Sequence, residues 1–303
     1  MALSRGRGRG YVRRRTDRSV GRRPTEAAVD GPVILTKGLT KSHGRQRGIA
    51  DLDLEVGAGE VFGYLGPNGA GKTTTIRLLL DTIRPTSGSA TVLGRRSHAD
   101  SVEIRRRVGY LPGDLRLYDS LSGRELVTYL GSLRGAVPWS RASALAERLD
   151  CDLSREIRAL SSGNRQKLGL IQTFMSDPEL LILDEPTNGL DPLVQQTFYG
   201  LVREARADGR TVFLSSHVLP EVERVCDRVG ILREGRLVAV ERIADLRGRG
   251  VRSLEVAFTG LVDAGLVAGV EGVRDVAAEG HLHKTRRIPW SRSMSFQVSS
   301  DGS

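Results

Sequence analysis

The stretch VFGYLGPNGAGKTTTIRLLLDTI (residues 61–83) decides the fold. Val61–Leu65 reads as a short apolar strand and Lys72–Ile83 as a helix, so a glycine-rich loop joins strand to helix. Gly66, Pro67, Asn68, Gly69, Ala70, Gly71, Lys72, Thr73 and Thr74 complete the pattern GxxxxGK[ST]. The glycines let the backbone curl until successive N–H groups face one phosphate, and the helix adds the positive end of its dipole. Lys72 is placed to reach the outer phosphates, and the Thr73 hydroxyl to ligate Mg²⁺. A glycine turn with a stray lysine would not need a strand before it and a helix after it. The pattern predicts binding of a nucleoside triphosphate with Mg²⁺.

Strands and helices alternate on both sides of this loop. Leu52–Val56 reads as a strand before a Gly57/Gly59 turn; Ala90–Leu93, a short basic helix and the strand Val108–Leu111 follow. Residues 124–175 read as mostly helical, Leu180–Leu183 as a compact apolar strand, and Thr211–Ser215 as another. Asp191-Pro192 fits a helix start, with proline at the first position, for Pro192–Ala207. Such alternation predicts an α/β fold with a mostly parallel sheet and a helical subdomain.

The strand Leu180–Leu183 runs into Asp184-Glu185-Pro186. In a parallel sheet this puts Asp184 at the C-terminal edge, beside the phosphate loop, where it can hold the Mg²⁺ shell. Glu185 is then placed to orient or deprotonate an attacking water. Strands often end in acids for solubility alone; the phosphate loop upstream gives this pair its meaning.

Leu160-Ser161-Ser162-Gly163-Asn164-Arg165-Gln166-Lys167 begins, at Ser161, 23 residues before Asp184. It resembles the ABC-transporter signature LSGGQ, with Ser162 in place of a glycine and Asn164 in place of the glutamine. Asn188-Gly189-Leu190-Asp191 resembles the D-loop of that family, and His217 its switch histidine. The resemblance spans residues 33–240 in order. It implies a P-loop NTPase of the ABC type that hydrolyses ATP with Mg²⁺, with Glu185, His217 and Lys72 catalytic. It also implies a head-to-tail dimer with a second copy or a related ATPase subunit, in which Ser161 and Gly163 contact the γ-phosphate held by the opposite chain. Taken singly, His217 reads as a strand-end histidine and Ser161 as a helix N-cap.

Two positions depart from the family pattern. After Val108–Leu111, Gly113 stands where a glutamine is usual, with Asp114 the neighbouring candidate to replace it. His43 stands where an aromatic residue usually stacks on adenine; imidazole offers less stacking area than tyrosine, and a plain loop histidine is the alternative reading.

The segment GNRQKLGLIQTFMSDPELLILDEPTNGLDPL (residues 163–193) is most similar to ATPase subunits of bacterial drug and antibiotic exporters. That implies a separate transmembrane permease subunit as partner and a peripheral place on the cytoplasmic face of the cell membrane. The rival class is a soluble ABC ATPase acting on nucleic acid or ribosomes, which would carry a coiled-coil or zinc insertion or a second phosphate loop. A binding switch without turnover would lack Glu185 or His217.

Charge bears on that rival. The 303 residues hold 46 Lys+Arg against 36 Asp+Glu, a net +10. Residues 1–23 contribute +8 and residues 281–303 contribute +3, which leaves −1 for residues 24–280. No basic groove on the folded body is expected, so nucleic acid is not an expected partner. No apolar run reaches half of the ~20 residues that a membrane span needs. Cys151 and Cys226 stand alone and read as buried thiols in a reducing compartment. The expected organisation is a disordered Arg-rich tail (1–31), the ATPase domain (32–246), a partial C-terminal module (247–280) and a disordered end (281–303). The run RGRG (247–250) reads as a linker, and Ser253–Phe258 with Val273–Ala277 as strands of a small α+β extension.

Overall fold

The computed structural model describes residues 31–44, 46–135, 137–249, 253–257, 274–279 and 282–286. Two strands, β1 (Ile34–His43) and β2 (Gln46–Val56), precede β3 (Val61–Leu65), the phosphate loop and α1 (Lys72–Leu79). Then come β4 (Ser87–Val92), β5 (Arg95–Arg96), α2 (Ser101–Arg107) and β6 (Val108–Leu111). The helical region holds α3 (Gly123–Leu133), α4 (Trp139–Arg148) and α5 (Ser162–Phe174). Next are β7 (Leu180–Asp184), α6 (Pro192–Ala207), β8 (Thr211–Ser216), α7 (Leu219–Val225), β9 (Arg228–Arg233), β10 (Arg236–Arg242) and α8 (Ile243–Arg249). The strands β11 (Ser253–Ala257), β12 (Arg274–Glu279) and β13 (Leu282–Arg286) close the described chain.

The main sheet has the order β10-β9-β3-β8-β7-β6, parallel except for the β10–β9 pair. Both of its faces are covered, as parallel strands require. Alternate side chains divide between the two faces. Leu181, Leu183, Val212 and Leu214 share one core with Leu168 and Ile171 of α5, Phe198 and Val202 of α6, and Val222 of α7. Leu180, Ile182, Phe213, Phe62 and Tyr64 share the other with Ile76 and Leu79 of α1 and with Ile34, Leu52 and Leu54. Burying each such side chain contributes roughly 1.5–3 kcal/mol.

The second sheet, β2-β1-β4-β5, is antiparallel and lies outside the alternating pattern. The Gly57/Gly59 turn therefore does not close a hairpin: β2 pairs with β1, and β3 with β8 and β9. The strand expected over Leu52–Val56 is the end of the longer β2. The helix expected to reach Ile83 stops at Leu79, because Asp81 turns left-handed with φ 54°. Helix α8 continues through Arg249, which corrects the linker reading of 247–249. β13 lies in the segment expected to be disordered and pairs with β11 and β12 in a separate three-stranded sheet. The Arg-rich tail and residues 287–303 lie outside the described residues.

Candidate nucleotide-binding site

Three neighbouring parallel strands deliver the site. The ends of β3 and β8 are in register at Leu65 and Ser216, and those of β7 and β8 at Asp184 and Ser215. The phosphate loop, the Asp184-Glu185 pair and His217 thus emerge together at one C-terminal sheet edge, the usual place for a ligand in such a sheet. Gly66, Pro67, Asn68, Gly69, Ala70 and Gly71 form the loop; Lys72, Thr73 and Thr74 open α1. Gly71 caps α1 with φ 109° and offers no side chain to its first N–H groups. A Cβ there would meet Ile49 Cγ2 at 2.7 Å, so conformation and space both call for glycine. Uncapped helix N–H groups beside curled backbone are suited to an anion.

Lys72 is buried, and its ammonium donates to the carbonyls of Gly66 at 2.6 Å and Pro67 at 3.2 Å. Its third neighbour is Glu185 Oε1 at 3.1 Å. That oxygen is buried without a hydrogen-bond donor among the described residues. The other, Oε2, lies 2.8 Å from His217 Nδ1. Glu185 has φ 49°, an uncommon left-handed conformation for a side-chain-bearing residue, and its N–H donates to both the carbonyl and the hydroxyl of Ser215.

Asp184 is fully buried. Its Oδ2 accepts from the Thr73 hydroxyl at 2.8 Å and its Oδ1 from the Ser215 hydroxyl at 2.5 Å. Burial first, and then the nearby Asp184 charge, push the Tyr110 phenol up to about 12. An alcohol and a carboxylate side by side are hard oxygen donors of the kind Mg²⁺ takes, with phosphate and water as its remaining ligands. No cluster of three or more His, Cys, Asp or Glu able to cage a metal by itself occurs among the described residues. The residues present fit Mg²⁺ held jointly with a nucleotide.

Ser161 is the N-cap of α5, its hydroxyl accepting from Asn164 N–H at 3.3 Å. Gly163 packs against the D-loop of its own chain: a Cβ on it would stand 2.7 Å from the Gly189 carbonyl oxygen. Deeper in α5, Gln166 donates to the Pro186 carbonyl at 3.0 Å, tying the signature helix to the segment after Glu185. Asp191 caps α6 through Leu193 and Val194 N–H, as its Asp-Pro step predicts.

Gly113 lies against the Thr73–Asp184 pair, a Cβ on it falling 3.2 Å from Asp184 Oδ2. The Asp114 carboxylate is exposed and accepts from Arg116. His43 is the last residue of β1, opposite Gln46, rather than part of an open loop. Ser215 is the residue that sequence reasoning passed over, although it holds both Asp184 and the Glu185 backbone. Its signal is a pair of serines interrupting an otherwise apolar strand, TVFLSS.

Residues 49–188 match the family model described as ABC transporter. The bacitracin transport ATP-binding protein of Bacillus licheniformis is 38% identical over 229 residues, 74% of each chain. The Nod factor export ATP-binding protein I of Cupriavidus pinatubonensis is 37% identical over 219 residues, 71% of this chain and 67% of that one. A solved structure described as the ATP binding subunit of an ABC transporter superposes with TM-score 0.65 at 30% identity, covering 72% of this chain and 92% of that one. The fold and the phosphate-loop edge define a nucleoside-triphosphate hydrolase. More narrowly, the chain belongs to the ABC transporter ATP-binding family. No helix among the described residues is long and apolar enough to cross a membrane.

Proposed function

We propose that the chain is the ATP-hydrolysing subunit of a membrane exporter for a drug, an antibiotic or a similar cargo, docked on a separate permease at the cytoplasmic membrane face. Lys72 and the loop N–H groups hold the β- and γ-phosphates, and Thr73 and Asp184 hold Mg²⁺. When bound, Mg²⁺ neutralises phosphate charge. Glu185 takes the proton of the attacking water, and His217 fixes the orientation of that carboxylate. Ser161 and Gly163 complete the site of a second subunit, the same anion-binding physics as the phosphate loop. The observation that carries this reading is the Lys72–Glu185–His217 chain beside the Thr73–Asp184 pair.

The export assignment rests on the relatives, which are a bacitracin transport and a Nod factor export ATP-binding protein. The purified full-length chain should hydrolyse ATP in a Mg²⁺-dependent manner, and a neighbouring gene should encode about six spans of ~20 apolar residues. Absence of turnover both alone and with that permease would overturn the reading. Tight, salt-sensitive RNA or DNA binding that survives loss of residues 1–31 would favour the nucleic-acid alternative.

A further inference from the structure

Glu221 sits in the first turn of α7 and has no part in the chemistry above, yet both of its carboxylate oxygens are engaged by other elements. Oε1 accepts from the Thr187 hydroxyl at 2.9 Å, and Oε2 from the Ser216 hydroxyl at 2.8 Å. Thr187 and Ser216 are both buried. Ser216 Oγ in turn accepts the Val218 N–H at 3.0 Å, so the same serine closes the turn that carries His217. Thr187 follows Pro186, whose carbonyl is held from the opposite side by Gln166 of the signature helix. A first-turn acid favours its own helix dipole without reaching another element. Here the carboxylate spans 34 residues to Thr187.

We propose that Glu221 is a positioning residue for hydrolysis: it ties the His217 turn to the segment leaving Glu185 and so sets the Glu185–His217 contact. This rests on Glu185 acting as the base. Two hydroxyls each give their single proton to one carboxylate, one to each oxygen. Thr187 begins two residues after Glu185 and Ser216 ends one residue before His217, so slack in the bridge moves both partners of the 2.8 Å contact. The bridge is made by side chains alone, whereas Ser216 meets the phosphate loop through its backbone carbonyl, which accepts the Gly66 N–H at 3.2 Å as part of the β3–β8 ladder and stays in place when the bridge is cut. The consequence is a separation of effects: turnover depends on Glu221, and nucleotide affinity does not.

The test uses the full chain, with ATPase kinetics, ATP affinity and melting measured for Glu221→Ala, Glu221→Gln, Thr187→Val and the double variant Glu221→Ala/Thr187→Val. Misplacing a catalytic pair by a fraction of an ångström to 1 Å lowers kcat by roughly ten- to a hundredfold. Glu221→Ala and Thr187→Val should each show such a fall with KM and ATP affinity within about twofold of the parent. The double variant should fall no further than Glu221→Ala alone, because both remove one bridge. Glu221→Gln should restore most of the rate, since its amide accepts from Ser216 and donates to Thr187. Parent kcat in Glu221→Ala and Thr187→Val overturns the proposal. So does a loss in Glu221→Ala that Gln does not rescue and Thr187→Val does not share, or additive losses in the double variant. If Glu185→Gln itself turns over at the parent rate, the failure belongs to the assignment of the base and not to the bridge.

Discussion

The Lys72 ammonium and Glu185 Oε1 stand 3.1 Å apart, with side chains only 6% and 12% exposed. The ammonium donates hydrogen bonds to the carbonyls of Gly66 and Pro67 and is paired with Glu185 by charge. A γ-phosphate that draws Lys72 towards itself competes directly with Glu185 for the same cation. Under the proposed function, phosphate capture and freeing of the Glu185 carboxylate are one exchange.

Lys72→Ala should lower ATP affinity about ten- to a hundredfold, the loss expected for a charged hydrogen-bond donor, and abolish turnover. It also leaves Glu185 Oε1 buried without its cation. Isothermal titration and a phosphate-release assay measure the two effects. Parent turnover in this variant would sink the phosphate-loop assignment.

Glu185→Gln keeps the side-chain shape but cannot accept a proton, and loss of general-base catalysis costs about 10²–10⁴ in rate. Bound ATP should persist because Lys72, Thr73 and Asp184 are untouched. The expected outcome is an ATP-dependent dimer on gel filtration, made with the permease present if the isolated subunit stays monomeric. Adding Ser161→Arg should dissolve that dimer by crowding the signature face.

Gly163→Ala tests packing inside one chain. The new methyl meets backbone, the Gly189 carbonyl at 2.7 Å, so no flexible side chain can give way. Overpacking of this kind costs typically 1–3 kcal/mol, and the signature helix or the D-loop must shift. Turnover should drop while ATP affinity at the phosphate loop stays near the parent value. A fully active Gly163→Ala would show that the two segments have room to spare.

Both cysteines should be inert in the folded chain. Burial pushes the Cys226 thiol well up and Cys151 up to about 11, with Lys167 pulling Cys151 part of the way back. A raised thiol pKa keeps the protonated, unreactive form, so alkylation at about pH 8 should be slow until denaturant is added. Mass spectrometry should then count two adducts per unfolded chain and none per native one. Rapid native labelling of Cys226 would contradict its buried placement against β3.

Much of the site was legible because each piece is local. A glycine loop between strand and helix, an apolar strand ending in two acids and an Asp-Pro helix start each declare themselves within about ten residues. The antiparallel sheet was not legible, because β1 finds β4 across some fifty residues and nothing in the Gly57/Gly59 turn says that β2 and β3 part company. β13, LHKTR, lacks the alternation that marks a half-buried strand and is defined by pairing on both sides. Ser215 and Glu221 were missed for a related reason. Each gains its role from partners about thirty residues away; the serine pair in TVFLSS marks the position of Ser215 but not its partners, and a helix-borne acid such as Glu221 carries no mark at all.

Gln166 gives the chain a property that neither motif has separately. Its bond to the Pro186 carbonyl fastens the helix begun by Ser161 to the segment just beyond Glu185. Under the proposed head-to-tail arrangement, the first of these serves a neighbour's nucleotide and the second the chain's own. Occupancy on one side then has a physical route to the other, through the Gln166 amide and the packing of Gly163 on Gly189. Any coupling between two such sites would be set by how rigidly these two contacts hold the signature helix to the segment beyond Glu185.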